Sequence, residues 1–175
     1  MGREEKGHQP VRIVILMGVS GSGKTMIGQR LANELDWQFF EGDAFHSRRN
    51  VDKMSRGMAL NDRDRDPWLK VLRELIHELT VEAQRAVITC SALKQVYRDR
   101  LTAGYPHVAI VYLKGGPGLI YRRLQSRSDH FMKADMLASQ FSTLEEPRDA
   151  LVVDIEQAPE IIIQQIKRAL QLTKP

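Results

Sequence analysis

One stretch of this chain constrains its fold more than any other. Residues 11–30 read VRIVILMGVSGSGKTMIGQR: an apolar run, Ile13 to Met17, passes directly into Gly18-Val19-Ser20-Gly21-Ser22-Gly23-Lys24-Thr25. That octet has the form G-x-x-x-x-G-K-[ST] with every fixed position filled, which is a phosphate-binding loop. Its context is the required one, a strand-like run before it and apolar residues at helical spacing (Ile27, Leu31, Leu35) after it. Glycines let backbone N–H groups turn inward around phosphate oxygens where a Cβ would obstruct them. Lys24 can reach the terminal phosphates as a point charge, and the Thr25 hydroxyl can hold Mg²⁺. A helix starting near Lys24 would add the positive end of its dipole.

The rest of the chain alternates β-like runs with helical patterns, which argues for βα units and a parallel sheet. The expected strands are Val11–Met17, Trp37–Glu41, Ala86–Cys90, Val108–Leu113 and Leu151–Ile155. Expected helices follow the phosphate loop, open at Pro67, run from Leu93 to Leu101, carry Leu119, Ile120 and Leu124, and close the chain over Pro159–Leu172. The expected fold is therefore α/β, a three-layer sandwich with a five-stranded parallel sheet. Residues 1–10 read as a tail and 11–175 as one domain. Within it, residues 44–66 form a polar substrate-binding insertion and residues 123–147 an Arg-rich lid. Ligands bind at the carboxyl ends of strands in such sheets. That rule groups Gly18–Thr25, Gly42–His46, Ser91–Lys94 and Lys114–Gly116.

With 175 residues the chain can bury a core without disulfides, and its single cysteine, Cys90, rules out an internal one and suits a reducing cytosol. The net charge of +4 is spread along the chain, which suits small anionic ligands and gives no nucleic-acid-binding run. No apolar stretch approaches the roughly 18 residues of a membrane span. A cytoplasmic protein acting on small molecules is expected.

Asp43, in EGDAFH, would face the terminal phosphate and could take a proton from an acceptor hydroxyl, or it could cap the following turn. Glu41 is a further metal-shell candidate. His46, Arg48, Arg49 and Lys53 form a donor cluster suited to an anionic, hydroxyl-rich acceptor, or a solvated helix face. Ser91 could cap a helix while Lys94 and Arg98, four residues apart, share a face toward a ligand. Arg123 and Arg127 have the same spacing and could stabilise charge on a moving phosphoryl group, or be a solvated helix end. Cys90 and Trp68 read as packing residues. The residues alone thus describe a phosphate-loop kinase for a small anionic acceptor. A kinase for another acid such as shikimate, and a nucleotide-binding protein without turnover, are the competing readings.

Six segments together resemble the gluconokinase family of small kinases related to shikimate kinase. They are MGVSGSGKT (17–25), GDAFH (42–46), RRNVDKM (48–54), LNDRDRDPWL (60–69), CSALKQVYRDRL (90–101) and HFMKADMLASQFSTLEEP (130–147). The resemblance implies ATP- and Mg²⁺-dependent phosphorylation of D-gluconate at its 6-hydroxyl, and bacterial members are often homodimers. It implies that Gly18, Val19, Ser20, Gly21, Ser22, Gly23, Lys24 and Thr25 bind ATP, with Thr25 at the metal. Lys24, Asp43, Arg123 and Arg127 would then be catalytic. Asp43, His46, Arg49, Lys94, Arg98 and His130 would line the acceptor side. Glu41 departs from the Asp common at that position in relatives.

Overall fold

The structure is a computed structural model, and it describes residues 9–126 and 134–175. Five strands, β1 (Ile13–Met17), β2 (Gln38–Glu41), β3 (Ala86–Thr89), β4 (Val108–Lys114) and β5 (Leu151–Asp154), form one sheet in the order β2-β3-β1-β4-β5. Every pairing is parallel. β1 is central and fully buried, as a continuous apolar run with helices on both faces should be.

Side chains of β1 alternate between two cores. Val14 and Leu16 pack with Ile27, Leu31 and Leu35 of α1 (Lys24–Leu35). The same core takes Ile120 and Leu124 of α5 (Pro117–Gln125), Leu137 of α6 (Ala134–Thr143), and Ile162, Ile163 and Ile166 of α7 (Pro159–Ala169). Ile13, Ile15 and Met17 face the other way, onto Trp68, Leu72 and Ile76 of α3 (Asp62–Val81) and Tyr97 and Leu101 of α4 (Gln95–Thr102). The three-layer expectation holds, with helix–sheet–helix layers and the carboxyl ends of all five strands at one end of the sheet.

The largest departure from the sequence expectation concerns α3. It begins at Asp62, not at Pro67, and Pro67 lies inside it. Asn61 accepts from the Asp64 N–H at 2.9 Å while the Asp64 carboxylate accepts from the Asn61 N–H at 3.1 Å, a reciprocal capping box. An interior proline costs about 3 kcal/mol. The box returns about 1 kcal/mol, and burial of Trp68, Leu69, Leu72, Ile76 and Leu79 returns about 1.5–3 kcal/mol each. Burial decides the outcome. Ahead of α3, a 3₁₀ turn (Gly42–Phe45) and α2 (Arg48–Ser55) give the polar insertion regular structure.

Candidate active site

The phosphate loop connects β1 to α1. Gly18, Gly21 and Gly23 all have positive φ (148°, 81° and 94°), so three of its turns use a conformation that side chains resist. Lys24 donates to the carbonyls of Gly18 at 3.0 Å and Val19 at 3.1 Å, folded back over its own loop. Burial pushes its pKa down, with the carboxylates of Asp43 and Glu41 opposing that shift. The Thr25 hydroxyl donates to the Glu41 carboxylate at 2.6 Å, and Glu41 also accepts from the Thr89 hydroxyl. Glu41 thus stands beside the proposed metal-holding hydroxyl, an all-oxygen environment suited to a hard cation.

Asp43 is placed by the tight junction after β2. A Cβ on Gly42 would lie 1.9 Å from the Thr89 carbonyl oxygen, so only glycine allows this approach. The Gly42 N–H donates to the Thr89 hydroxyl at 3.0 Å, and its carbonyl accepts from the Trp68 indole at 2.8 Å. His46 stacks on Trp68 with ring centroids 4.3 Å apart, and its Nε2 lies 4.0 Å from the Asp43 carboxylate. Burial lowers the His46 pKa, Asp43 opposes the shift and Arg65 adds to it, so the imidazole is neutral near pH 7.

Two cavities meet here. One, of about 330 Å³, is lined by Gly21, Gly23, Thr25 and Glu41 on the phosphate-loop side. The other, of about 380 Å³, is lined by His46, Met54, Arg65, Ser91, Ser139 and Thr143 among others. Ser20, Lys24 and Asp43 line both. The junction of the two cavities is therefore a serine, a lysine and a carboxylate.

Several expected acceptor-side residues are placed elsewhere. Arg49 is exposed and outside the cavity lining, because α2 turns Val51, Met54 and Ser55 toward the cavity and Arg49 to the opposite face. Lys94 is bound to both Asp62 carboxylate oxygens at 2.8 and 2.9 Å, a partner that exists only because α3 starts early. Lys94 also takes the N-cap position of α4 in place of Ser91, so it and Arg98 do not share a helical face. Arg98 is 1 % exposed and turned onto backbone carbonyls. Arg123 donates to the Ile155 carbonyl at 2.6 Å and lines neither cavity. α5 ends at Gln125, and Arg127 and His130 lie outside the described residues. Lys114 pairs with Glu146 at 2.8 Å, and Lys114–Gly116 stand apart from both cavities. Cys90 is buried, with its thiol pushed up to about 12, as a packing residue should be.

Sequence reasoning missed Arg65 and Gln140. Arg65 comes from the first turns of α3, and the Asn61–Asp64 capping signature was the signal that could have found it. Gln140 of α6 accepts from the Ser20 N–H at 2.7 Å and donates to the Ser20 hydroxyl at 3.0 Å, joining this helix to the phosphate loop. Asn50, also unforeseen, is buried and donates to the Asp64 carbonyl at 2.7 Å, while Lys53 pairs with the Asp64 carboxylate at 2.7 Å. These contacts fix α2 against α3.

Comparison with known proteins places this geometry in a family. A family model described as shikimate kinase matches residues 20–171. The thermoresistant gluconokinase of Escherichia coli is 45% identical, over 86% of this chain and 89% of that protein. A crystal structure of a sugar kinase from a Janibacter species superposes with a TM-score of 0.87 at 44% identity, covering 93% of this chain and 96% of that one. A gluconokinase from Sinorhizobium meliloti superposes with a TM-score of 0.82 at 38% identity, covering 93% and 92% of the two chains. With its phosphate loop, its junction carboxylate and relatives aligned over nearly its whole length, the chain belongs to the gluconokinase family.

Proposed function

We propose that the protein transfers the γ-phosphoryl group of ATP to the 6-hydroxyl of D-gluconate, releasing ADP and 6-phospho-D-gluconate. The observation that carries this reading is the junction of two cavities at Lys24 and Asp43. The smaller cavity, floored by Gly18–Thr25, takes the phosphates. The larger one offers what a polyhydroxy acid needs: hydroxyl groups on Ser55, Ser91, Ser139 and Thr143, a neutral imidazole on His46, and a guanidinium on Arg65 for the carboxylate.

In the reaction, Asp43 accepts the proton of the 6-hydroxyl as the oxygen attacks the γ-phosphorus. The new O–P bond forms as the bond to the β,γ-bridging oxygen breaks, and that oxygen leaves with ADP. Lys24 stabilises the negative charge on the phosphoryl oxygens. Mg²⁺ would be held by the Thr25 hydroxyl with Glu41 beside it, and it would neutralise charge between the β- and γ-phosphates. Among the described residues no cluster of three or more His, Cys, Asp or Glu forms a metal cage. Mg²⁺ bound through substrate phosphates and water requires none. In this reading residues 11–175 act as one kinase domain, with residues 44–66 gripping the acceptor and residues 123–147 serving as its lid. Among the described residues no helix is long and apolar enough to cross a membrane, in keeping with a cytoplasmic enzyme of small metabolites.

A coupled assay of ADP release with ATP, Mg²⁺ and a panel of gluconate, other aldonates, shikimate and nucleoside monophosphates tests the reading. Turnover is expected on gluconate. Turnover on shikimate without gluconate would reject it.

A further inference from the structure

The acceptor wall contains a strained turn. β3 ends at Thr89 and α4 begins at Gln95, and between them Ala92 has φ +42°, a left-handed conformation that a residue with a Cβ resists. Ala92 is fully buried, and its neighbours Ser91 and Leu93 both line the larger cavity. Whatever holds this turn therefore sets the shape of the acceptor site.

Arg98 is in position to hold it. Its Nη1 donates to the Ala92 carbonyl at 2.8 Å and to the Leu93 carbonyl at 3.1 Å, and its Nη2 donates to the Gln95 side chain at 2.7 Å. Glu145, just beyond α6, grips the same segment. Its N–H donates to the Leu93 carbonyl at 2.8 Å, and its carboxylate accepts from the Gln95 N–H at 2.6 Å. A buried guanidinium spent on consecutive backbone carbonyls is costly to place and rigid once placed. Without Arg98 the Ala92 carbonyl would lose its donor, and the Leu93 carbonyl would keep only the Glu145 N–H.

We infer that Arg98 is a positioning residue: its guanidinium holds the strained Ser91–Leu93 turn, and so fixes the wall against which the acceptor binds without touching the acceptor. Glu145 ties the same turn to the end of α6, so that the lid-side helix and the acceptor wall are aligned together. The inference depends on the gluconate reading only through the choice of assay substrate.

The test compares Arg98→Lys, which keeps the charge but not the fork of donors, in two backgrounds, wild type and Ala92→Gly. Glycine adopts φ +42° unaided, so the turn should no longer need its clamp. Arg98→Lys alone should raise the acceptor KM about tenfold and the ATP KM by less than about threefold. In the Ala92→Gly background the same substitution should cost less than about threefold in acceptor KM. An equal loss in both backgrounds, or equal rises in the two KM values, would overturn the inference. If Arg98→Lys alone does not accumulate as folded protein, thermal melting becomes the readout. The double variant must then recover folding, and failure to recover it overturns the inference. A wild-type enzyme inactive on gluconate would reject the acceptor reading instead, and the melting comparison would still decide the role of Arg98.

Discussion

The two halves of the site are built in opposite ways. The phosphate side centres on one contiguous octet, Gly18–Thr25, whose shape is set by three glycines with positive φ. The acceptor side is assembled from four separated segments: the turn and helix at 42–55, the first turns of α3, the strained turn at 91–93, and α6. It is held by side-chain contacts such as Lys53–Asp64, Lys94–Asp62 and Arg98 with the Ala92 carbonyl. A local device serves any nucleotide triphosphate, whereas the dispersed one can be reshaped for a particular acceptor. Only Ser20, Lys24 and Asp43 belong to both.

Substitutions at that junction should have the largest effects. Lys24→Met should lower kcat/KM by about 10²–10³-fold, because it removes the charge facing the transferred group. Asp43→Ala should lower kcat by about 10²-fold or more while ATP affinity stays near wild type. Steady-state kinetics with both substrates varied separates the two, and an unchanged kcat in Asp43→Ala would remove that carboxylate from the mechanism.

Glu41 tests whether the phosphate side is as self-contained as its motif suggests. Glu41→Gln weakens the charge-assisted bond from Thr25, a change of about 1 kcal/mol or about fivefold. That change should appear as a higher Mg²⁺ requirement, measured by titrating Mg²⁺ at fixed ATP, with the gluconate KM unmoved. A shift in gluconate KM alone would place Glu41 on the acceptor side instead.

These contrasts explain what could be read in the sequence. The phosphate loop, the five strands and the packing of α1 were legible because each depends on neighbouring residues: an apolar run, a glycine pattern, a helical repeat. Asp43 and His46 were legible because they follow a strand end within a few residues. Residue type and the family resemblance put Arg49, Lys94 and Arg98 on the acceptor side, whereas Arg49 is exposed outside the cavity lining, Lys94 pairs with Asp62 and Arg98 is turned onto backbone carbonyls. The pairing of Lys94 hinges on where α3 starts. Reading Pro67 as the helix start hid Asp62, which claims Lys94, and hid Arg65, which takes the cavity position. Which carbonyls a buried arginine meets depends on a tertiary turn that has no short-range signal.

The smallest expected effect is on stability against pH. Burial is the main cause holding both His46 and His107 below the usual imidazole value. A lowered folded-state pKa means that the unfolded chain binds protons more readily. Stability is therefore complete above the unfolded value of about 6.5 and declines as pH falls through it toward the folded values. Melting temperature should fall by a few degrees, about 2–4 °C for each kcal/mol lost, between about pH 7.5 and 5.5. His107 lies 2.9 Å from the Thr80 hydroxyl, remote from both cavities, so His107→Asn should flatten part of this dependence without changing gluconate KM.

The division of the site is tested most directly by calorimetric titration of wild type and Arg65→Gln, each with a non-hydrolysable ATP analogue and, separately, with gluconate. The nucleotide affinities of the two proteins should agree within about twofold, while gluconate should bind Arg65→Gln about tenfold more weakly, the size of one lost charge-assisted pair. Equal weakening of both ligands, or unchanged gluconate binding, would contradict the separation of a generic phosphate half from a specific acceptor half.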